Sequence, residues 1–227
     1  MKQLEKEDGP NMLAGLLKKV QISSRDIVLK SYDVYLDDEI SEPGDYRELI
    51  SLLMNASDQD EINLFINSPG GNLDSACAII TAIQCCQGNV TAYLMGACHS
   101  AASIITMYCT QVHVFNPAYM MAHTASFGSV GNTSTIKAHT DFTVTQVEKL
   151  LDDAYEGFLT KEEIAKVKNG VEVWFDNEQI ITRMKNRLKV LAKRRDDAEK
   201  KTLGVAEEPT KPVKPKAIKK VKEKPSE

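Results

Sequence analysis

The sequence predicts an α/β domain of repeated strand–helix units, and three observations carry that prediction. Glu61–Asn67 and Val90–Met95 are short apolar runs of strand length. Each is followed by a turn rich in glycine or small residues, and then by a stretch with apolar residues at helical spacing. The next strand returns after one helix, which is the spacing of parallel strands joined by right-handed crossovers. With 227 residues, 42% of them apolar, the chain has enough core-forming material for such a domain.

Taken in order, residues 1–25 form an N-terminal segment in which Met12, Leu13, Leu16, Leu17 and Val20 recur at helical spacing. The main domain is expected over 26–182. Asp26–Leu36 reads as extended. Pro43-Gly44-Asp45 is a stop and a helix start, and Tyr46–Met54 is helical. The strand Glu61–Asn67 ends in Ser68-Pro69-Gly70-Gly71. Asp74–Cys86 is a helix whose apolar face holds Ala76, Ile79, Ile80 and Ile83, closed by Gly88-Asn89. Val90–Met95 is a second strand, Gly96 a turn, and about Ser100 to Tyr108 a helix. Val112–Phe115 is a third strand, Pro117 a turn, and Tyr119–Ala122 a fourth extended piece. After a polar stretch with Gly128 and Gly131, a long helix is expected from Thr143 to about Phe158. Another follows Thr160, where Thr160 and Glu163 form a capping box. Residues 178–201 are helical in pattern, with 183–204 set apart as a basic helix. From 205 a Lys- and Pro-rich tail is expected to be disordered.

Charge narrows the function. The tail over 209–227 holds seven Lys and two Glu, so the rest of the chain is more acidic than the overall −4. An acidic body argues against a nucleic-acid-binding domain. No apolar run is long enough to span a bilayer, and Met1–Pro10 has no apolar core of a secretory signal, so a cytoplasmic location is expected. Cys77, Cys85, Cys86, Cys98 and Cys109 contain no CxxC pair, which signals neither a disulfide framework nor a zinc site. No cofactor or metal is implied.

Three segments carry chemistry. Ser68-Pro69-Gly70-Gly71 directly after a buried strand lets backbone N–H groups approach a ligand, as an oxyanion requires. In Met95-Gly96-Ala97-Cys98-His99-Ser100-Ala101-Ala102-Ser103, a serine sits at the start of a helix whose N-terminus favours developing negative charge. His123 follows in "MMAHTAS" at the end of an extended piece. Taken singly, these are also a plain turn, an N-cap serine and a structural histidine.

Together they resemble a family. "INSPGGN", "MGACHSAAS" and "MMAHTAS", in this order, are similar to the proteolytic subunit of the caseinolytic (Clp) protease over roughly residues 30–180, with phage and prophage members nearest in character. The resemblance implies a crotonase-like (Clp peptidase) α/β fold with a helical handle, and a Ser-His-acid triad in that chain order. Ser100 matches the nucleophile and His123 the general base, with the N–H groups of Gly71 and Ala101 as oxyanion donors. Ser103 is the rival nucleophile, one turn deeper in the helix. Glu172 stands where the family has aspartate, and Asp176 is the alternative third member. His99 replaces a small residue beside the nucleophile, as a second base or as pocket lining. The family's closing Gly-Leu-Val-Asp segment is absent after Ile180, and "RMKNRLKVLAKRR" stands in its place.

The resemblance further implies a homo-oligomer of stacked rings, typically heptameric. The helix carrying Phe142, Val144, Val147, Leu150 and Leu151 would interlock the rings. Unfolded polypeptides would be cleaved in the enclosed chamber, fed by a separate AAA+ unfoldase. The same chemistry would serve phage head maturation. Two other classes stay open: a crotonase-type acyl-CoA enzyme and a non-catalytic ring subunit.

Overall fold

The computed structural model describes residues 29–205, with side chains to residue 200. The expected N-terminal amphipathic stretch and the Lys/Pro-rich tail beyond 205 lie outside these residues.

Six strands form one sheet: β1 (Ser31–Leu36), β2 (Glu61–Ser68), β3 (Asn89–His99), β4 (Gln111–Val114), β5 (Tyr119–Ala122) and β6 (Val173–Phe175). The order is β1-β2-β3-β5-β6, and β4 also pairs with β3. β3 can serve both because it is long: Thr91–Leu94 pair with β4 and Ala97–His99 with β5, end to end along one edge. All pairs from β1 to β5 are parallel, as the strand–helix alternation requires; β5 and β6 are antiparallel.

The helices are α1 (Arg47–Asn55), α2 (Leu73–Cys85), α3 (Ala101–Tyr108), α4 (Thr133–Ala154), α5 (Lys161–Lys168) and α6 (Asn177–Val205). A short 3₁₀ turn, Pro43–Tyr46, leads into α1. The core lies between the sheet and α1–α3. Ile62, Leu64 and Ile66 of β2 and Ala92 and Leu94 of β3 meet Ile79 and Ile83 of α2 and Ile105 of α3 there. Each Leu or Ile buried this way contributes roughly 1.5–3 kcal/mol. The same alternation leaves Tyr35, Phe65, Tyr93 and His113 stacked across the other face, with ring centroids 4.9–5.1 Å apart.

The structure corrects two expectations and adds one element. Gly96 is not a turn, because β3 runs through it to His99. Asn67 Oδ1 accepts the Ala97 N–H at 3.0 Å and takes the space that a Cβ on residue 96 would fill. The pairing shifts register there, from Ile66↔Leu94 to Ser68↔Cys98. The long helix begins at Thr133 rather than Thr143. Asn132 caps it by accepting the Thr135 N–H at 3.0 Å, and its first turns are exposed, so no apolar period marks them. The strand Val173–Phe175 was not foreseen, since three residues are too few to show a period.

The stretch read as helical and basic over 178–201 is α6, which runs from Asn177 to Val205. Arg183 binds Glu163 through two hydrogen bonds of 2.8 Å, and its guanidinium lies 4.6 Å from the centroid of the Phe175 ring. The buried Arg187 donates to the carbonyls of Glu156 (2.6 Å) and Met107 (3.1 Å). These bonds anchor α6 against the corner that follows α4. The Thr160–Glu163 capping box forms as the sequence indicates.

Candidate active site

Ser100 sits between the end of β3 and the first turn of α3. Its φ of 51° and ψ of −122° make it the only non-glycine residue with positive φ among the described residues. Such a conformation costs on the order of 1–3 kcal/mol and persists only where the surroundings impose it. Here the Ser100 N–H donates to the Met121 carbonyl at 2.9 Å, and the Ser100 carbonyl accepts from Ile104 N–H at 3.1 Å. The kink lifts the side chain out of the strand, and Ser100 Oγ lies 2.6 Å from His123 Nε2. His123 follows β5, which pairs with the end of β3, so strand pairing itself brings serine and histidine together.

Gly70 and Gly71 close over the serine. Gly70 (φ 90°) has no room for a side chain: a Cβ would stand 2.6 Å from Ser100 Cβ and 3.0 Å from Ala101 N. Gly71 (φ 143°) packs so closely on Ile40 that a Cβ would collide with the Ile40 carbonyl. The Ile40 N–H donates to Gly70 O at 2.7 Å, and Asn72 N–H donates to Ile40 O at 2.7 Å. The Gly70-Gly71 turn is thus clamped from both sides. As the first residue of α3, Ala101 has an N–H with no intrahelical acceptor.

Ser100 and His123 open into a cleft of ≈ 810 Å³. Leu73, Met121, Val147 and Leu150 give it apolar walls, and Glu39, Asp74 and His139 add charged or titratable groups. A cleft of that size accepts several residues of an extended peptide. Among the described residues no three His, Cys, Asp or Glu side chains come together as a metal site.

Not every sequence-derived candidate joins this pair. Glu172 is exposed, and its Oε2 accepts from Trp174 Nε1 at 3.1 Å rather than from His123. Asp176 is engaged as a cap, accepting the Gln179 N–H at 2.8 Å. Among the described residues no carboxylate is bonded to His123. Ser103 is fully buried and faces away from the cleft, its Oγ 2.6 Å from the Tyr155 hydroxyl. His99 packs against Tyr119 and Trp174, each at 5.0 Å between ring centroids, and its buried Nε2 has no hydrogen-bond partner among the described residues. Burial holds the His99 pKa below the ordinary histidine value, and His123 pushes the same way, against an upward pull from Glu172.

Tyr155 and Trp174 were missed as neighbours of the site. Tyr155 follows Val147 and Leu151 at i, i+4 spacing, so a hydroxyl ending an apolar stripe was a signal that could have been read. Nothing local singled out Trp174.

The comparisons with known proteins point the same way as this geometry. ATP-dependent Clp protease proteolytic subunit 2 of Chlamydia pneumoniae is 28% identical over 150 residues, covering 58% of this chain and 74% of that protein. Subunit 3 of Streptomyces avermitilis is 28% identical over 145 residues, covering 62% and 64%. Subunit 4 of Rhodococcus jostii is 36% identical over 76 residues, covering 34% and 37%. The Clp protease family profile matches residues 18–185, which takes in all six strands of the sheet and every residue described around Ser100. This chain belongs to the Clp protease family.

Proposed function

We propose that this protein is a serine endopeptidase that hydrolyses peptide bonds inside an oligomeric ring, working with an ATP-driven unfoldase of the AAA+ class. The observation that carries this reading is the 2.6 Å bond between Ser100 Oγ and His123 Nε2, at a strained serine in a peptide-sized cleft.

The chemistry follows from that bond. His123 Nε2 takes the hydroxyl proton as Ser100 Oγ attacks the scissile carbonyl carbon. The carbonyl π electrons move to oxygen, and the oxyanion is received by the N–H groups of Gly71 and Ala101. One such donor is worth about 3 kcal/mol. His123 returns the proton to the leaving amine and an acyl-enzyme remains; water then takes the amine's place, giving a proton to His123 as it attacks the ester carbonyl, and Ser100 Oγ leaves and regains that proton. Glu172 is the third member in this reading, its carboxylate turning from Trp174 to the imidazole. The ring partner is a further copy of this chain, which would cover Ile136, Phe142 and Val144, all exposed on α4. Unfolded polypeptides are the substrates, because an enclosed chamber excludes folded ones.

A non-catalytic ring subunit is the second reading, and the absence of a bonded carboxylate at His123 among the described residues favours it. Intact mass after fluorophosphonate treatment separates the two. An adduct on Ser100, lost in His123→Ala, supports the peptidase. No adduct in the assembled protein supports the non-catalytic subunit.

A further inference from the structure

A trans peptide holds its C=O and N–H on opposite sides, so whatever fixes the Ser100 carbonyl also aims the Ala101 N–H. That carbonyl receives a second hydrogen bond besides the helical one. Ser103 Oγ donates to Ser100 O at 2.7 Å, with the Met121 carbonyl a longer 3.2 Å away. Ser103 has a single proton for these two acceptors. Tyr155 OH, 2.6 Å from Ser103 Oγ, decides its orientation. Ser103 is 0% and Tyr155 1% exposed, so no bulk water competes for either hydroxyl. Ser103 Oγ is the one hydrogen-bond partner of the Tyr155 hydroxyl among the described residues, so the phenol gives its proton there and leaves the Ser103 proton for the carbonyl. The result is a directional chain, Tyr155 O–H to Ser103 O–H to Ser100 C=O.

We propose that Ser103 and Tyr155 are positioning residues that lock the Ser100–Ala101 peptide plane, so that the Ala101 N–H points at the developing oxyanion. The proposal rests on the peptidase reading with Ser100 as nucleophile. It gives Ser103 a role other than that of the rival nucleophile. It also explains how a non-glycine residue keeps a positive φ at the start of a helix: Met121 O holds the N–H of Ser100, and the Ser103–Tyr155 pair holds its carbonyl. Tyr155 acts only through Ser103, so the two contributions are not independent.

The test uses the full-length assembled protein with Ser103→Ala, Tyr155→Phe and the double variant. The readouts are kcat per titrated active site and KM on a fluorogenic peptide, and Ki for a peptide boronic acid whose tetrahedral adduct puts an oxygen in the same hole. Ser103→Ala is expected to lower kcat about tenfold to a hundredfold with KM within about twofold, and to weaken the boronate by the same factor. Tyr155→Phe loses less, and the double variant loses no more than Ser103→Ala alone. The fluorophosphonate adduct in Ser103→Ala still maps to Ser100. Unchanged kcat per site and unchanged boronate Ki in Ser103→Ala overturn the proposal, as do additive losses in the double variant. A loss of titratable sites with normal kcat per site reduces the pair to a structural role and also overturns it. Failure of the wild-type protein to label at Ser100 instead overturns the peptidase reading, so the two failures are distinct.

Discussion

His123 and Glu172 face each other one step beyond the last registered pair of β5 and β6, yet the Glu172 carboxylate is held by Trp174. The pairing runs Met120↔Phe175, Met121↔Trp174, Ala122↔Val173, and its continuation sets residue 123 opposite residue 172. Glu172 stands one residue before β6 and two before Trp174, whose indole N–H it accepts at 3.1 Å, so in the proposed triad the carboxylate would have to exchange that indole for the imidazole.

That competition is testable. On the reading in which Glu172 completes the triad, Glu172→Gln lowers kcat at least about tenfold with little change in KM. Trp174→Phe removes the competing donor and keeps kcat at or above the wild-type value. Steady-state kinetics on a short peptide check both. Wild-type activity in Glu172→Gln would remove Glu172 from the mechanism.

The strain at Ser100 predicts a separation of stability from activity. Ser100→Ala and Ser100→Gly both abolish peptide hydrolysis, and both lose the bond to His123. Glycine tolerates φ 51° whereas alanine does not, so Ser100→Gly should be the more stable of the two by about 1 kcal/mol. Urea unfolding of the two inactive variants measures the difference. Equal midpoints would mean that the serine backbone carries no strain.

His99 predicts how stability depends on pH. Its folded-state pKa is depressed, burial being the first cause, so the unfolded chain binds the proton more readily than the folded one. The stability it contributes is fully present above the ordinary value of 6.5 and is lost as pH falls toward the depressed folded value. The unfolding midpoint should therefore drop on acidification below about pH 6.5, and the slope should flatten in His99→Phe, whose ring keeps the contacts to Tyr119 and Trp174.

The Arg183–Glu163 pair ties α6 to the start of α5. Hydrogen bonding by Arg183, ahead of the opposing effect of burial, lowers the Glu163 pKa from its usual 4.5. The pair therefore stabilises above that pH and is lost as pH falls through the lowered value. Arg183→Met should cost about 1–3 kcal/mol at neutral pH, because it also removes the contact with Phe175, and should reduce the acid sensitivity. Thermal unfolding at pH 7 and pH 4 checks both.

Much of the architecture was legible in the chain. The apolar runs of β2 and β3, the helical periods of α2 and α3 and the Thr160–Glu163 capping box are local signals, set by side-chain spacing within one element. The structure reproduces them with shifts of a few residues at most, except that β3 extends through Gly96 to His99. Ser100 and His123 could be picked out because each ends a recognisable strand in a motif of small residues.

What the sequence alone determined is the order of strands and helices as far as β5, the family, and the serine and histidine that the fold brings to hydrogen-bond distance. The tertiary structure decided the rest, because it depends on pairs far apart in the chain. Three-residue β6 exists only because β5 offers it an edge, and that pairing brings Glu172 opposite His123 and Trp174 over His99. Gly96 reads as a turn in one dimension and proves to be a space for Asn67 in three. Ser103 looks like a second nucleophile until Tyr155, 52 residues later, takes up its hydroxyl. A hydrogen bond or a strand edge supplied from a distant segment leaves no period or motif at either end, so only the folded chain reveals it.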